Sequence, residues 1–246
     1  MMTKGIDVSK HNGVIDWQKV KKSGVDFAMI RAGYGRLIEQ KDKQFENNYA
    51  GCKENSIPCG VYWYSYAHSV AEAQTEAMVF LQAIKGKSFE FPVYLDFEEE
   101  SQFRLGKATC SAMAKAFLEI VESAGYFVGI YSSKSGLENY IDADIRRKYS
   151  VWVAHVNVAK TSYSMPFDVW QYSWKGRIDG ISGDVDCNYA YKDFPTIIKN
   201  IGLNGFPKPE KIAEPVLVES PVNEKKGIDI QVLIDGKQYS GTVYEH

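Results

Sequence analysis

The sequence lacks the long apolar runs that mark membrane-spanning helices and secretory leaders. No run approaches about eighteen uninterrupted apolar residues, and the opening MMTKGIDVSK has no apolar core of the kind that a signal peptide needs. We therefore expect a chain that is made in the cytoplasm without a Sec signal peptide. Stable membrane association is not expected either.

The sequence also lacks an excess of charge of either sign. Lysine and arginine number 29 against 31 acidic residues, which leaves a formal net charge of −2. Basic stretches such as 19–22 are short and interrupted. Nucleic-acid-binding domains concentrate basic residues on one surface, so nucleic acid is not an expected partner.

Cysteine is scarce and scattered, at Cys52, Cys59, Cys110 and Cys187. These positions have neither the close paired spacing of a zinc site nor the density of a secreted disulfide framework. We interpret all four as reduced and structural, because cysteine is among the residues most often buried. The sequence calls for no cofactor and no metal.

Short β-branched or aromatic runs are present in number and predict eight strands. They occupy residues 5–8, 27–32, 60–67, 91–97, 127–131, 151–156, 168–172 and 183–187. Helical periodicity lies between several of them, clearest at 70–84 and 109–124, with Ser69 and Thr109 as candidate N-caps. Alternating strands and helices predict an α/β fold with a mostly parallel sheet.

Several strand candidates are almost continuously apolar and end in polar or acidic residues, as buried barrel strands do. The last three lie between Val151 and Asn188, which leaves too little chain for helical crossovers. The predicted fold is therefore an irregular TIM-like (β/α) barrel of eight strands. It has few helices in its last third, where part of the pairing is antiparallel.

The composition changes after the barrel. We predict a catalytic barrel over 1–202, a linker rich in Pro, Glu and Lys over 203–226, and a short β-hairpin tail over 227–246. The tail alternates apolar and polar residues around Asp235-Gly236, a dipeptide favoured in two-residue hairpin turns. A lone hairpin is marginal in water, so the tail self-associates, docks on the barrel or begins a truncated module; a disordered tail is the alternative.

The segment FEFPVYLDFEEES, residues 89–101, is an apolar strand that ends in carboxylates. Residues two apart in a strand point to the same side, so Asp96 and Glu98 are expected to face one site. Two acids held close together and shielded from water raise the pKa of one of them, which gives the protonated and ionised pair that glycosidic cleavage needs. The alternative is a strand end that simply meets solvent.

Asp7 and Asp186 lie at or near the ends of the first and last predicted strands. Those two strands are neighbours in a closed barrel, so four acids can meet at one mouth. Each acid also has a plain structural reading, a cap or turn for Asp7 and an Asx turn for Asp186. Within GVYWYSYA, alternation puts Tyr62, Tyr64 and Tyr66 on one face, which we take as inward, and Trp63 on the other.

These segments together resemble the glycoside hydrolase family 25 lysozymes, the Chalaropsis-type N-acetylmuramidases of bacteria and phages. The resemblance covers nearly all of residues 4–200, through GIDVSKHNGVIDW, FAMIRAGYG, GVYWYSYA, YLDFE, GIYSS, VWVA, DVWQYS and GDVDCN in that order. It implies an irregular α/β barrel with Glu98 as proton donor and Asp96, Asp7 and Asp186 completing the acidic site. It also implies a sugar groove formed by Tyr34, Tyr62, Tyr64, Trp170 and Gln171, to which we add Arg31. The sequence departs from the family pattern near Arg31 and at His155, for which we expect a buried, hydrogen-bonded role.

The resemblance implies hydrolysis of the β-1,4 bond between N-acetylmuramic acid and N-acetylglucosamine in peptidoglycan. Asp96 either stabilises the developing charge directly or orients the substrate's own N-acetyl group, and the sequence leaves both routes open. A non-catalytic wall-binding module is one alternative. A barrel that holds a divalent metal on the four acids is another. The expected setting is an endolysin of a phage or prophage, which reaches the cell wall after release from its bacterial host.

Overall fold

Eight strands close into a barrel in the first of the two units of the chain, Met1–Lys208 and Pro209–His246. The structure, a computed structural model, describes residues 2–208, 228–234 and 236–243. The barrel strands, in chain order β1 to β8, are Thr3–Val8, Phe27–Tyr34, Cys59–Tyr64, Val93–Asp96, Val128–Ser133, Ser150–Ala154, Val169–Gly176 and Val185–Ala190.

Pairing is parallel from β1 through β7, and β8 runs antiparallel to both of its neighbours, β7 and β1. The connection from β6 to β7, residues 155–168, contains no helix. The predicted irregular barrel with partly antiparallel pairing in its last third is confirmed. Because β8 is reversed, its first residues lie at the same rim as the carboxyl ends of the parallel strands.

Helices cover the outside of the barrel. In chain order, α1 to α8 are Trp17–Lys22, Phe45–Glu54, Val70–Ile84, Glu100–Phe103, Lys107–Ser123, Lys134–Tyr140, Ala143–Lys148 and Phe194–Ile201, with short 3-10 turns at Lys10–Asn12 and Ile38–Gln40. α3 has the predicted bounds, and the Ser69 side chain accepts from the Glu72 amide as its N-cap. The predicted cap of α5 was wrong: its N-cap is Gly106 instead of Thr109, because the first turn is mostly exposed and adds no apolar periodicity.

The core has two layers. Between barrel and helices, Phe80 of α3 packs on Phe117 of α5 at 5.8 Å and on Trp63 of β3 at 5.6 Å between ring centroids. Inside the barrel, Tyr94 packs edge-on against Trp152 at 5.3 Å. These aromatic rings fill the barrel interior, so open space remains at the carboxyl rim. All four cysteines are buried and free, as predicted.

The barrel unit continues past the boundary expected at residue 202. Asn204 is fully buried, and its side-chain amide donates to the carbonyl oxygens of Phe89 (3.1 Å) and Phe91 (2.8 Å). Its side-chain oxygen accepts from the Phe127 amide at 2.7 Å. These three bonds tie the segment after α8 to the residues that lead into β4 and β5.

The second unit contains the predicted hairpin. β9, Ile228–Ile234, pairs antiparallel with β10, Lys237–Val243, in a register that sets Lys237 opposite Ile234. Asp235 of the predicted turn lies outside the described residues, as does the predicted linker from residue 209 onward. Among the described residues, no helix has the length and apolar character required to cross a membrane.

Candidate active site

Four carboxylates meet at the carboxyl rim of the barrel. Asp96 is the last residue of β4, Glu98 follows it by two positions, and Asp7 lies near the end of β1. Asp186, near the start of the reversed β8, pairs in register with Asp7. They line one cleft of about 320 Å³, together with Val8, Ser9, His11, Asn12, Arg31, Tyr62, Tyr64, Tyr131, Trp152, Gln171 and Asp184.

Gln171 of β7 fixes the orientation of the acids from β1 and β8. Its side-chain amide donates to Asp7 Oδ2 at 3.0 Å and reaches Asp186 Oδ2 at 3.4 Å. Its oxygen accepts from the Tyr131 hydroxyl at 2.9 Å. Asn188 donates a second bond to Asp7 Oδ2 at 2.7 Å. Asp7 is therefore held by two amide donors.

The Asp7–Asp186 pair shares one proton in the arrangement that fits these bonds. Burial raises the pKa of Asp186 to about 8, and the charge of Asp7 adds to the rise. Burial also raises the pKa of Asp7, but the bonds from Asn188 and Gln171 oppose the rise. Because amide donors stabilise an ionised carboxylate, Asp7 is the ionised partner and Asp186 the protonated one.

The Asp96–Glu98 pair has the same character. Burial raises the pKa of Glu98 to about 7, helped by the charge of Asp7 and opposed by the Tyr131 hydroxyl. Burial, and then the charges of Glu98 and Asp7, raise the pKa of Asp96 well above its usual value, against the effect of Arg31. Asp96 Oδ1 is buried and has no hydrogen-bond partner in the described part of the chain. The cleft thus has a carboxylic acid that holds its proton near neutral pH beside ionisable partners, which is the equipment for general acid catalysis.

Tyr62 and Tyr64 line the cleft, whereas Trp63 points outward to α3, so the even-numbered face of β3 is inward as predicted. Tyr62 packs edge-on against Trp152 with ring centroids 5.9 Å apart. The Tyr64 hydroxyl donates to Glu99 Oε2 at 3.0 Å. Both rings therefore have fixed positions beside the acids.

Two residues expected in the sugar groove do not line this cleft. Trp170 lies on the face of β7 opposite Gln171, where its ring packs near Tyr189 and its Nε1 donates to the His155 carbonyl at 2.9 Å. Tyr34 is half-buried at the end of β2, under the Lys10 ammonium at 5.5 Å from its ring centroid. Trp170 is therefore a packing residue on the outward face of β7, and Tyr34 lies beside the cleft.

His155 is half-buried and hydrogen-bonded, close to the expected role. Its Nδ1 lies 3.1 Å from Thr161 Oγ1.

Arg31 brings a cation to the cleft. Its Nε donates to Asp42 Oδ2 at 2.8 Å, and the same oxygen accepts from the Lys10 amide at 3.0 Å. Its Nη2 is buried without a hydrogen-bond partner among the residues that the structure describes. This guanidinium opposes the upward shift of the Asp96 pKa, so it favours the ionised form of that acid.

Several cleft residues were missed from the sequence: Ser9, His11, Asn12, Tyr131, Trp152 and Asp184. Tyr131 and Trp152 lie on β5 and β6, and the same two-residue alternation applied to GIYSS and VWVA would have pointed to them. Ser9, His11 and Asn12 of the GIDVSKHNG motif reach the cleft because the chain after β1 forms the 3-10 turn Lys10–Asn12, which Ser9 caps. In the part of the chain described, no group of three or more His, Cys, Asp or Glu residues is arranged to hold a metal ion.

Known proteins are similar to this chain in sequence or in fold. Residues 6–181 match the family described as Glycosyl hydrolases family 25. The uncharacterized protein YegX of Escherichia coli O157:H7 is 35% identical over 198 residues, which covers 75% of this chain and 68% of YegX.

Two solved structures superpose on most of the chain. The bacterial lysozyme from Streptomyces coelicolor is 29% identical with a TM-score of 0.69, covering 77% of this chain and 92% of that one. The modular autolysin LytC from Streptococcus pneumoniae, solved with a synthetic peptidoglycan ligand, is 29% identical with a TM-score of 0.68, covering 77% of this chain but 47% of LytC. The match over most of the barrel and the relative at 35% identity establish that the chain belongs to glycosyl hydrolase family 25.

Proposed function

We propose that this chain is a lysozyme that hydrolyses the β-1,4 bond between N-acetylmuramic acid and N-acetylglucosamine in bacterial peptidoglycan. The observation that carries the proposal is the cleft in which Asp96 and Glu98 lie together, with the pKa of Glu98 raised to about 7. The lysozyme of Streptomyces coelicolor and the peptidoglycan-bound LytC, both in the same fold, support this substrate.

Glu98 is the proton donor in this proposal. At neutral pH a substantial fraction of Glu98 holds its proton, which it delivers to the glycosidic oxygen as the bond to the sugar breaks. Asp96 then faces the positive charge that develops at the anomeric carbon. It stabilises that charge directly or holds the substrate's N-acetyl group in position to attack, and both routes are compatible with this placement.

The remaining cleft residues bind and orient the sugar substrate. Tyr62 and Tyr64 offer ring faces to the sugar. Asp7, ionised and oriented by Gln171, supplies negative potential to the site, while Asp186 holds the proton that the two acids share. Arg31 is the fixed cation for an acidic part of the substrate. Tyr34, beside the cleft, is a further aromatic residue for sugar binding.

We assign catalysis to the barrel unit, and to the tail a role in self-association. In the β9–β10 register, Val232 lies opposite Tyr239, on the hairpin face that also carries Ile230 and Ile234. Ile234 and Tyr239 are exposed. Two-stranded hairpins are marginal alone, so covering this face with a second copy stabilises it. Val232→Lys should convert an oligomer to a monomer in light scattering, whereas Gln231→Lys on the opposite face should not; equal masses would refute this role.

The proposed site of action is the cell wall, after release from a bacterial host as an endolysin. The test of function uses purified peptidoglycan. The wild type should clear its turbidity and release fragments whose reducing ends are muramic acid by mass analysis. Glucosamine reducing ends would refute the muramidase assignment, and binding with no new reducing ends would indicate a non-catalytic wall-binding module instead.

Glu98→Gln should abolish clearance while wall binding persists. Glu119→Gln is the matched control, because Glu119 lies on α5 in an exposed pair with Lys115. Retained clearance by Glu98→Gln would move the acid role to another residue.

A further inference from the structure

We propose that Glu76, outside the barrel on α3, is a positioning residue that fixes the loops after β3 and β4 and thereby limits the access of water to the half-buried Glu98. This inference rests on the proposed role of Glu98 as proton donor. Glu76 does not line the cleft; it lies behind the segments that do.

The Glu76 carboxyl group is fully buried, whereas Glu72, the other acid of α3, is half-buried and pairs with Arg36. Its Oε2 accepts from the Ser65 hydroxyl at 2.6 Å, and its Oε1 accepts from the Tyr66 amide at 2.8 Å. Burying a carboxylate is costly unless its oxygens are bonded. Both oxygens here accept bonds from the loop that follows β3, and these bonds oppose the effect of burial, which raises the pKa of Glu76 to about 7. The carboxyl group therefore holds that loop.

Ser65 links Glu76 by hydrogen bonds to the segment that follows Glu98. Its hydroxyl oxygen accepts from Gln102 Nε2 at 3.0 Å, and Gln102 donates also to the Ala67 carbonyl at 2.9 Å. Gln102 is fully buried on α4, the short helix that begins just after Glu98 and Glu99. The Ser65 amide in turn donates to the Asp96 carbonyl at 2.9 Å.

The series of hydrogen bonds from Gln102 through Ser65 to Glu76 requires an acceptor at position 76. Since the Gln102 amide group donates into Ser65, the Ser65 hydroxyl hydrogen must point to Glu76. Gln102 Oε1 has no hydrogen-bond partner within the described residues, so the bonds donated by Nε2 alone hold this side-chain amide. Replacing the Glu76 acceptor by a donor therefore leaves a buried hydroxyl or amide unpaired and releases the chain.

The released loops would expose Glu98 to water. The other ties between them, Tyr64 to Glu99 (3.0 Å) and His68 to Ser101 (2.9 Å), are half-buried or exposed. Burial is the main cause of the raised pKa of Glu98, so added hydration lowers it. The charged and titratable groups that face Glu98 are not altered by a change at position 76; they are Asp7, Asp96, Glu99, Tyr64, Tyr131 and Asp186.

The test is the pH dependence of kcat on soluble, uncross-linked glycan strands for the full chain. Glu76→Gln should lower kcat and move the basic limb of the profile to lower pH by about one unit, as expected for a more hydrated carboxyl group. Ser65→Ala, which removes the relay without touching the carboxyl group, should shift the limb in the same direction. Glu119→Gln should leave both kcat and the limb unchanged.

Loss of thermal stability in Glu76→Gln and Ser65→Ala with the wild-type kcat and basic limb would overturn the proposal, because a purely structural residue would behave in that way. If Glu76→Gln does not fold, Ser65→Ala decides by the same criterion. A basic limb that survives in the residual activity of Glu98→Gln would instead refute Glu98 as the proton donor. The pH profile of Glu98→Gln is measured first, so failure of the proposed function is distinguishable from failure of the proposal for Glu76.

Discussion

The raised pKa of Glu98 makes a prediction about stability that is separate from activity. Burial raises this pKa from its usual 4.5 to about 7 in the folded protein. Over that interval the folded state binds more protons than the unfolded state, so ionisation of Glu98 destabilises the fold as pH rises. Glu98→Gln removes the ionisation and with it the loss of stability.

The magnitude follows from the interval itself. From 4.5 to about 7, at about 1.36 kcal/mol per pH unit, the cost of ionising Glu98 reaches about 3 kcal/mol above pH 7. Below pH 4.5 the cost vanishes, because Glu98 is protonated in both states. Glu98→Gln should therefore have close to wild-type stability at pH 4 and be more stable than the wild type by about 3 kcal/mol at pH 8.

The assay is urea unfolding of both proteins from pH 4 to pH 8, with Glu119→Gln as the exposed-glutamate control. The difference in unfolding free energy between Glu98→Gln and the wild type should grow with pH, while the control stays level. A difference that does not change with pH would refute the raised pKa and the electrostatic account of the site.

Three further predictions concern neighbouring features. Tyr131→Phe removes a hydroxyl that lowers the pKa of Glu98, so the basic limb of the activity profile should move to higher pH in a pH–rate measurement; an unchanged limb would contradict this. Asn204→Ala leaves three buried backbone groups without partners and should lower the unfolding free energy by about 3 kcal/mol in urea; a change below about 0.5 kcal/mol would contradict this. Dialysis against EDTA should leave turbidity clearance unchanged, and loss of clearance that a divalent cation restores would favour the metal-dependent alternative.

The barrel could be predicted from the sequence because its strands are nearly uniform apolar runs. Alternation within such runs correctly assigned Asp96 with Glu98 and Tyr62 with Tyr64 to the inward face. The bounds of α3 were equally accessible, since Ser69 caps a helix with regular apolar spacing.

Other features depend on contacts that local patterns do not encode. Trp170 and Tyr172 of β7 lie two residues apart, and their rings pack together on the face opposite Gln171. Family resemblance favoured Trp170 for the groove, although alternation from Gln171 turns it outward. Asn204 lies in a loop-like segment, and its partners Phe89 and Phe127 are far away in the sequence. Glu76 looks like any polar residue of an amphipathic helix until its bonds to the loop after β3 are known.

The most direct test of Glu98 as proton donor compares two substrates with the Glu98→Gln variant. The variant should lose hydrolysis of peptidoglycan strands, whose leaving sugar requires a proton, but should retain cleavage of an activated aryl glycoside of the same sugar, whose phenolate departs without one. Equal losses on both substrates, or no loss on either, would contradict the assignment of Glu98 as the acid.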